Sequence, residues 1–194
     1  MTEEELRIET VQKAKAKKTM LVLAMASFTM MFAGLTSAYV ISKERPDWLE
    51  DFVLPQAFTW STIAILISSV TFHLAKKAIQ NNNRSKTSLF LFITLALGLL
   101  FIGLQFKGFG EVIEAGYYFT GSESTITTSF LYVVVIVHIL HLIGGLIALS
   151  VIIYNHYKQK YKTGQTLGIE LGAMFWHFLD FLWLYLFLFF TFYK

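Results

Sequence analysis

Cysteine is absent from this 194-residue chain. Its absence excludes disulfides, thiolate nucleophiles and thiolate metal sites. Proline is nearly absent, and the two that occur, Pro46 and Pro55, fall in one predicted loop. The chain also has no glycine-rich phosphate loop, no Walker motif and no Ser/His/Asp set at one depth. A net charge of only +3 gives no sign of nucleic-acid binding.

Hydrophobic residues, in contrast, make up 55% of the chain and include nineteen Phe and six Met. A soluble domain has about 45–50% apolar residues. Five segments approach or exceed the roughly 20 apolar residues needed to cross a bilayer: 19–41, 57–78, 88–106, 129–154 and 169–193. The sequence therefore predicts an all-α membrane protein with five transmembrane helices and no soluble domain. Neither a broken helix nor an internal repeat points to a secondary transporter.

The first 18 residues are predicted to form a cytoplasmic, helical tail, and residues 19–194 a single transmembrane domain. Thr2 and Glu5 have the spacing of a capping box. Acidic residues come first in the tail and lysines last, as the helix dipole favours. The apolar run after the tail is longer than the 7–15 residues or so of a signal peptide, so we expect a retained helix.

The distribution of positive charge predicts the orientation of the chain. Twelve of the sixteen Lys and Arg residues fall in the N-terminal tail and in the second and fourth loops. Seven acidic residues fall in the loops on the opposite side. Because cytoplasmic loops are enriched in Lys and Arg, the N-terminus is predicted to be cytoplasmic and the C-terminus periplasmic.

Ionisable residues within two predicted spans are the least expected feature. A charged side chain at a helix centre costs about 2.5–3.5 kcal/mol even on mild insertion scales. With a rise of about 1.5 Å per residue, His138 in the fourth span lies level with Asp180 in the fifth, and His141 lies level with His177. The matching depths predict an interhelical polar cluster of these four residues. Glu170 shares the His177 face but lies near the cytoplasmic end.

Three interpretations of this cluster remain open. It could bind a metal or haem, because histidine is the commonest metal ligand. It could be a proton relay or transport site. It could also be a hydrogen-bond network that fixes two helices. We favour the network, because only one carboxylate lies at this depth and bulky side chains flank His177.

Small and amide side chains give weaker signals. Gly168 and Gly172 form a small-xxx-small pair at the start of the fifth span, and Gly144 and Gly145 form a small patch in the fourth. Such positions favour close helix contact. Gln105 is predicted to be an interhelical or interfacial donor.

The segment FWHFLDFLW at residues 175–183 resembles the signature of the cytochrome c oxidase subunit III family. His138 and His141, with Gly144, are similar to a His-x-x-His-x-x-Gly helix of that family. Glu170 occupies the family position seven residues before His177. The resemblance extends over nearly all of the chain after the tail, in the short five-helix bacterial form.

The resemblance implies a non-catalytic membrane subunit of an aerobic haem-copper terminal oxidase in the bacterial inner membrane. Such a subunit belongs to the respiratory electron transport chain, holds no haem or copper itself, and packs against subunit I in a complex that includes subunit II. It binds phospholipid and supports proton uptake; membership of a respiratory supercomplex is open. The residues carried over as structural or as proton- or lipid-linked are His138, His141, Glu170, Trp176, His177 and Asp180.

One position departs from the family pattern. The first retained helix of the family often carries a buried carboxylate after a serine, whereas Ser27 here precedes Phe28. Three alternatives also stay open: subunit III of a quinol oxidase, an accessory protein of a nitric oxide reductase, and an independent transporter that uses the His/Asp cluster.

Overall fold

A computed structural model describes residues 2–49, 52–121, 124–161 and 166–193. The helices are α1 (Glu3–Ile41), α2 (Gln56–Gln80), α3 (Arg84–Glu114), α4 (Ile126–Tyr157) and α5 (Leu167–Phe192), with a short 3-10 turn, Ser42–Glu44, after α1. All five long helices have the length and composition to cross a membrane. The predicted all-α architecture with five membrane-spanning helices is confirmed. The cytoplasmic N-terminus and periplasmic C-terminus remain predictions.

The helices extend beyond the apolar runs from which they were predicted. α1 begins at Glu3, where the Thr2 hydroxyl accepts a hydrogen bond from Glu5 N and the Glu5 carboxylate accepts one from Thr2 N. This capping box confirms the spacing-based prediction. α3 likewise continues to Glu114, past the apolar run. The ends are polar, so apolar length marks the membrane-spanning part and not the whole helix. The division at residue 18 stays a prediction.

The bundle is centred on α5. α5 contacts α1, α2 and α4, while α2 packs most extensively against α3, and α3 contacts α4. α1 lies at the edge and touches the bundle through α4 and α5. Its buried residues, Phe32, Thr36 and Tyr39, are spaced by four and three and therefore share one face. Most of the remaining α1 surface is exposed.

Glycines allow the closest helix contacts. A Cβ added at Gly145 would lie 2.8 Å from Leu179, and one at Gly172 would overlap Ile152. At Gly168 it would meet the hydroxyl of Tyr161, in the connection between α4 and α5. The helix contacts predicted for Gly145 and Gly172 are confirmed, whereas the close contact of Gly168 is with the connection and not with another helix. The same expectation for Gly144 is wrong, because a Cβ there would meet nothing within 4 Å.

The loop between α1 and α2 is fastened to the start of α4. The Asp47 carboxylate accepts a hydrogen bond from Ile126 N at 3.2 Å, and Leu49 N donates to Thr127 Oγ1 at 3.0 Å. The Arg45 guanidinium, 3.1 Å from the same carboxylate, holds the pKa of Asp47 below its usual range. These bonds satisfy backbone groups at a helix terminus and fix where α2 begins relative to α4.

Substitution of Gly98 tests the packing of the bundle. A Cβ at Gly98 would lie 2.9 Å from the rigid ring of Trp176 and 3.0 Å from Leu146. We therefore expect Gly98→Ala to destabilise the chain by about 1–3 kcal/mol, as overpacking typically does. The measurement is unfolding of the full chain in mixed micelles. Gly103→Ala in the same helix is the control, since that position is open. Equal effects of the two substitutions would contradict the packing described here.

Candidate functional site

Two tryptophans of α5 are hydrogen-bonded to hydroxyl groups of α2. Trp176 Nε1 donates to Ser68 Oγ at 3.0 Å, and Trp183 Nε1 donates to Thr62 Oγ1 at 2.9 Å. Both bonds are buried. Seven residues separate the indoles on α5 and six separate the hydroxyls on α2, running in opposite directions. The two bonds therefore fix the register of an antiparallel helix pair.

Three hydroxyl groups of α2 donate their hydrogen to carbonyl oxygens of the same helix. Ser61 and Thr62 both donate to the carbonyl oxygen of Phe58 at 2.8 Å. Ser68 donates to Ile65 O at the same distance. A hydroxyl has one hydrogen and two acceptor lone pairs. Because the hydrogen is used within α2, the oxygen is left to accept a bond from another helix.

The same arrangement joins α3 to α2. Gln105 Nε2 donates to Ser61 Oγ at 2.9 Å, while Thr71 and Thr94 share a hydrogen bond at 2.8 Å. The prediction that Gln105 is an interhelical donor is confirmed. α2 thus supplies hydroxyl groups to the helices on two of its sides.

His177 also contacts α2. Its Nδ1 is hydrogen-bonded to Ser69 Oγ at 2.7 Å. The ring of His73, one turn further along α2, lies with its centroid 6.3 Å from that of His177. His177 therefore lies between the buried tryptophan–hydroxyl hydrogen bonds and the end of the bundle at which Lys76 is found.

His138 is enclosed by aromatic rings. It is fully buried, with centroid distances of 5.2 Å to Trp183, 6.1 Å to Phe101 and 6.3 Å to Phe32. Neither ring nitrogen has a hydrogen-bond partner in the part of the chain that the structure describes. The rings come from α1, α3 and α5, so His138 lies where these helices meet α4.

His141 faces α1 and not α5. Its Nδ1 lies 2.7 Å from the carbonyl oxygen of Val137, which can only accept, so Nδ1 carries the hydrogen. The ring of Phe28 packs edge-on against it, with centroids 4.4 Å apart. Phe28 is the residue at which the chain departs from the family pattern. Its apolar ring thus packs directly against His141.

Asp180 is 2% exposed, and neither carboxyl oxygen has a hydrogen-bond partner among the described residues. The Ser69 hydroxyl lies close to this carboxyl group, but not in the geometry of a hydrogen bond. The predicted pairing of His138 and His141 with His177 and Asp180 is therefore wrong. The members of each predicted pair match in depth. Their side chains, however, point in different directions around the helix axes and contact different neighbours.

Glu170 lies at the start of α5, where its Oε1 accepts a hydrogen bond from Thr166 Oγ1 at 2.7 Å. It lines a cavity of about 330 Å³ together with Lys18, His73, Lys76 and His177. Of the six predicted site residues, the structure brings only Glu170 and His177 to one cavity. Trp176 is hydrogen-bonded to Ser68, and His138, His141 and Asp180 do not line that cavity.

No three His, Cys, Asp or Glu side chains among the described residues form a group that could hold a metal ion. The hydroxyl acceptors of α2 are what the sequence analysis missed. The seven-residue spacing of Ser61 and Ser68 was an available signal, because it places these two hydroxyls on one face of a helix.

Five apolar helices tied together by polar contacts define a multi-pass α-helical membrane protein. The family model for cytochrome c oxidase subunit III matches residues 7–194. A cytochrome c oxidase subunit 3 of Bacillus sp. (strain PS3) is 29% identical over 82% of this chain and 77% of its own length. That of Synechocystis sp. is 28% identical, over 86% and 71%, and that of Spodoptera frugiperda is 34% identical, over 66% and 83%. The chain belongs to the cytochrome c oxidase subunit III family.

A double-mutant cycle tests the register of α2 and α5. Trp183→Phe and Thr62→Ala each remove one end of the same hydrogen bond. We expect a coupling energy between about 0.6 and 1.7 kcal/mol, which are the average and the maximum measured for hydrogen bonds between membrane helices. Unfolding in mixed micelles gives the four stabilities. The control cycle pairs Trp183→Phe with Ser68→Ala, which is bonded to Trp176 and should be additive. Coupling in the control cycle and none in the first would show a different register.

Proposed function

We propose that this chain is the non-catalytic subunit III of an aerobic haem-copper terminal oxidase in a bacterial inner membrane. Haem and copper belong to the partner subunits. The chain packs against subunit I, in a complex that includes subunit II, and binds phospholipid. Membership of the subunit III family supports this role.

One observation carries the packing role: the polar side chains of the family motif are used to hold helices together. Trp176, His177 and Trp183 are each bonded to a hydroxyl of α2. Their N–H groups and ring nitrogens serve the register of the bundle, which is what a scaffold for a catalytic neighbour requires.

The exposed surface of α1 supports contact with lipid or a partner helix. Along its apolar part, Met20, Leu23, Met30 and Ile41 are each more than 60% exposed. A helix attached to its own bundle along one face leaves the other faces for its surroundings. A membrane subunit of an oxidase complex supplies such surroundings.

A supporting role in proton uptake is assigned to the end of α5. Glu170, His73 and His177 line one cavity there, at the end of the bundle predicted to be cytoplasmic. Carboxyl and imidazole groups at such a surface can hold and release protons. The Phe28 position contributes no carboxylate to this role.

Copurification tests the proposed function. The tagged full-length chain, expressed with its oxidase, should bring down a larger haem-containing subunit in stoichiometric amount and be colourless when isolated. Contradictory outcomes are a stoichiometric Soret band in the pure chain, or flux of protons or solute in vesicles that hold this chain alone. A quinol oxidase or a nitric oxide reductase would be recognised by which donor and which gas the copurified complex consumes.

A further inference from the structure

Asp180 is a buried carboxyl group of α5 that the hydrogen bonds of the fold leave unused. It is 2% exposed, and neither of its oxygen atoms has a hydrogen-bond partner among the described residues. It lies thirteen residues after the start of α5, about 20 Å along the helix. An ionised carboxylate without partners is costly in such surroundings, so the group is held as a neutral carboxylic acid. Asp180 therefore carries a proton inside the bundle.

A serine and a histidine connect this carboxyl group with the cavity of about 330 Å³ at the end of the bundle. The Ser69 hydroxyl lies close to the Asp180 carboxyl group and is hydrogen-bonded to His177 Nδ1 at 2.7 Å. His177 itself lines the cavity. Because Nδ1 is bonded to Ser69, Nε2 is the nitrogen left to exchange a proton with the cavity. The route from the cavity to Asp180 thus has two members.

Both members can pass a proton along the route. An imidazole can accept a hydrogen at one nitrogen while it gives one from the other, and a hydroxyl can accept and donate at the same oxygen. When a proton binds Nε2 of His177, the hydrogen of Nδ1 moves to Ser69 Oγ, and Ser69 passes its own hydrogen to the carboxylate of Asp180. One proton leaves the cavity, the carboxylate becomes a carboxylic acid, and His177 is left as its other neutral tautomer. The last transfer requires a side-chain rotation, because Ser69 and Asp180 are close but not hydrogen-bonded.

The charged groups near the route are confined to its cavity end. They come from three helices: Lys18 of α1, His73 and Lys76 of α2, and Glu170 of α5. On α4, His138 and His141 face aromatic rings of other helices. On α3, the ionisable residues fall outside the apolar run 88–106: Arg84, Lys86, Lys107, Glu111 and Glu114. Among the described residues Asp180 has no hydrogen-bonding or ion-pair partner, so a proton neutralises it and not a salt bridge.

We propose that Asp180 is an internal proton-binding site that exchanges protons with the cavity through Ser69 and His177. The ligand is the proton, delivered from water at the end of the bundle predicted to be cytoplasmic. The site names residues for the proton-uptake role proposed above, and it rests on that role for its use by the oxidase. It does not depend on position 28, where Phe28 packs on His141.

Infrared spectroscopy tests whether Asp180 holds a proton. The chain has three aspartates, and the other two, Asp47 and Asp51, come between α1 and α2. The full chain is labelled with aspartate that carries carbon-13 in its side-chain carboxyl group and is placed in lipid nanodiscs at pH 7. An ordinary aspartate, with a pKa of about 3.9, is ionised under these conditions. We expect a band of a protonated carboxyl group that shifts with the label and is lost in Asp180→Asn.

Two results of this measurement would contradict the site. Absence of a label-sensitive band in the unaltered chain would show that Asp180 is ionised. A band that persists in Asp180→Asn would assign the proton to another aspartate. Because the label alone identifies an aspartate in the unaltered chain, the first result stands even if the substituted chain folds poorly.

The route is tested by the rate at which the same band shifts after transfer into heavy water. Ser69→Ala removes the connecting hydroxyl, and His177→Asn places an amide beside Ser69 that cannot take up a proton. The matched control is Ser88→Ala, which removes a similar bond, between Ser88 Oγ and His156 Nε2 at 2.9 Å. We expect the first two variants to slow exchange about tenfold or more, and the control to leave it within about twofold.

Equal exchange rates in the three variants would overturn the route. Backbone amide exchange is recorded in the same spectra. If the amides and Asp180 exchange together, the proton arrives by opening of the bundle, which also overturns the route. A carboxyl group with a structural role alone would show no selective slowing in Ser69→Ala and His177→Asn.

Copurification with the haem subunit separates this site from the proposed function. The infrared measurements need only the present chain, so an unselective exchange rate contradicts the route while the proposed function stands. Lost copurification of the unaltered chain contradicts the proposed function, whatever the infrared spectra show.

Discussion

The fold depends on the pairing of polar groups of α5 with hydroxyls of α2 inside the bilayer. Lipid offers no hydrogen bonds, so a buried indole N–H is costly unless the protein supplies an acceptor for it. Trp176 and Trp183 find theirs in Ser68 and Thr62. Such a bond adds little stability, about 0.6 kcal/mol on average. Its larger effect is selective, because any slip of register leaves both donors unpaired.

The remaining contacts follow once α2 and α5 are fixed. The ring of Trp176 fills the space over Gly98 of α3, and Trp183 becomes one wall around His138 of α4. α2 holds α3 through Ser61 and Gln105. α1 is held by fewer contacts, and a cavity of about 470 Å³ lies between α1 and α5. The bundle is therefore closely packed at its centre and leaves most of the α1 surface exposed.

Four described residues, Trp48, Gln105, His138 and Asp180, have a buried side-chain nitrogen or oxygen atom without a hydrogen-bond partner. His138 and Asp180 lack hydrogen-bond partners among the described side chains, although each is almost completely buried. The rise per residue placed His138 and Asp180 at the same depth in the membrane. Whether two side chains meet also depends on the rotation of each helix about its own axis. Rotation about the helix axis turns His138 toward the rings of Phe32 and Phe101, while Asp180 lies near Ser69. A rise per residue predicts the level of a side chain and cannot predict its azimuth relative to a neighbour.

The sequence alone determined the helix count, the capping box at Thr2, and the family, because apolar length, local hydrogen bonding and motif spacing are all short-range properties. It also marked Gly145 and Gln105 as contact positions. Tertiary structure alone decided which helices meet, that Gly144 faces outward while Gly145 faces Leu179, and that His177 pairs with Ser69. These outcomes depend on how whole helices rotate and pack, and that arrangement is settled by all five faces together. The hydroxyls of α2 show the difference most clearly: they are ordinary small residues in the sequence, and only the approach of α3 and α5 brings the groups that donate hydrogen bonds to them.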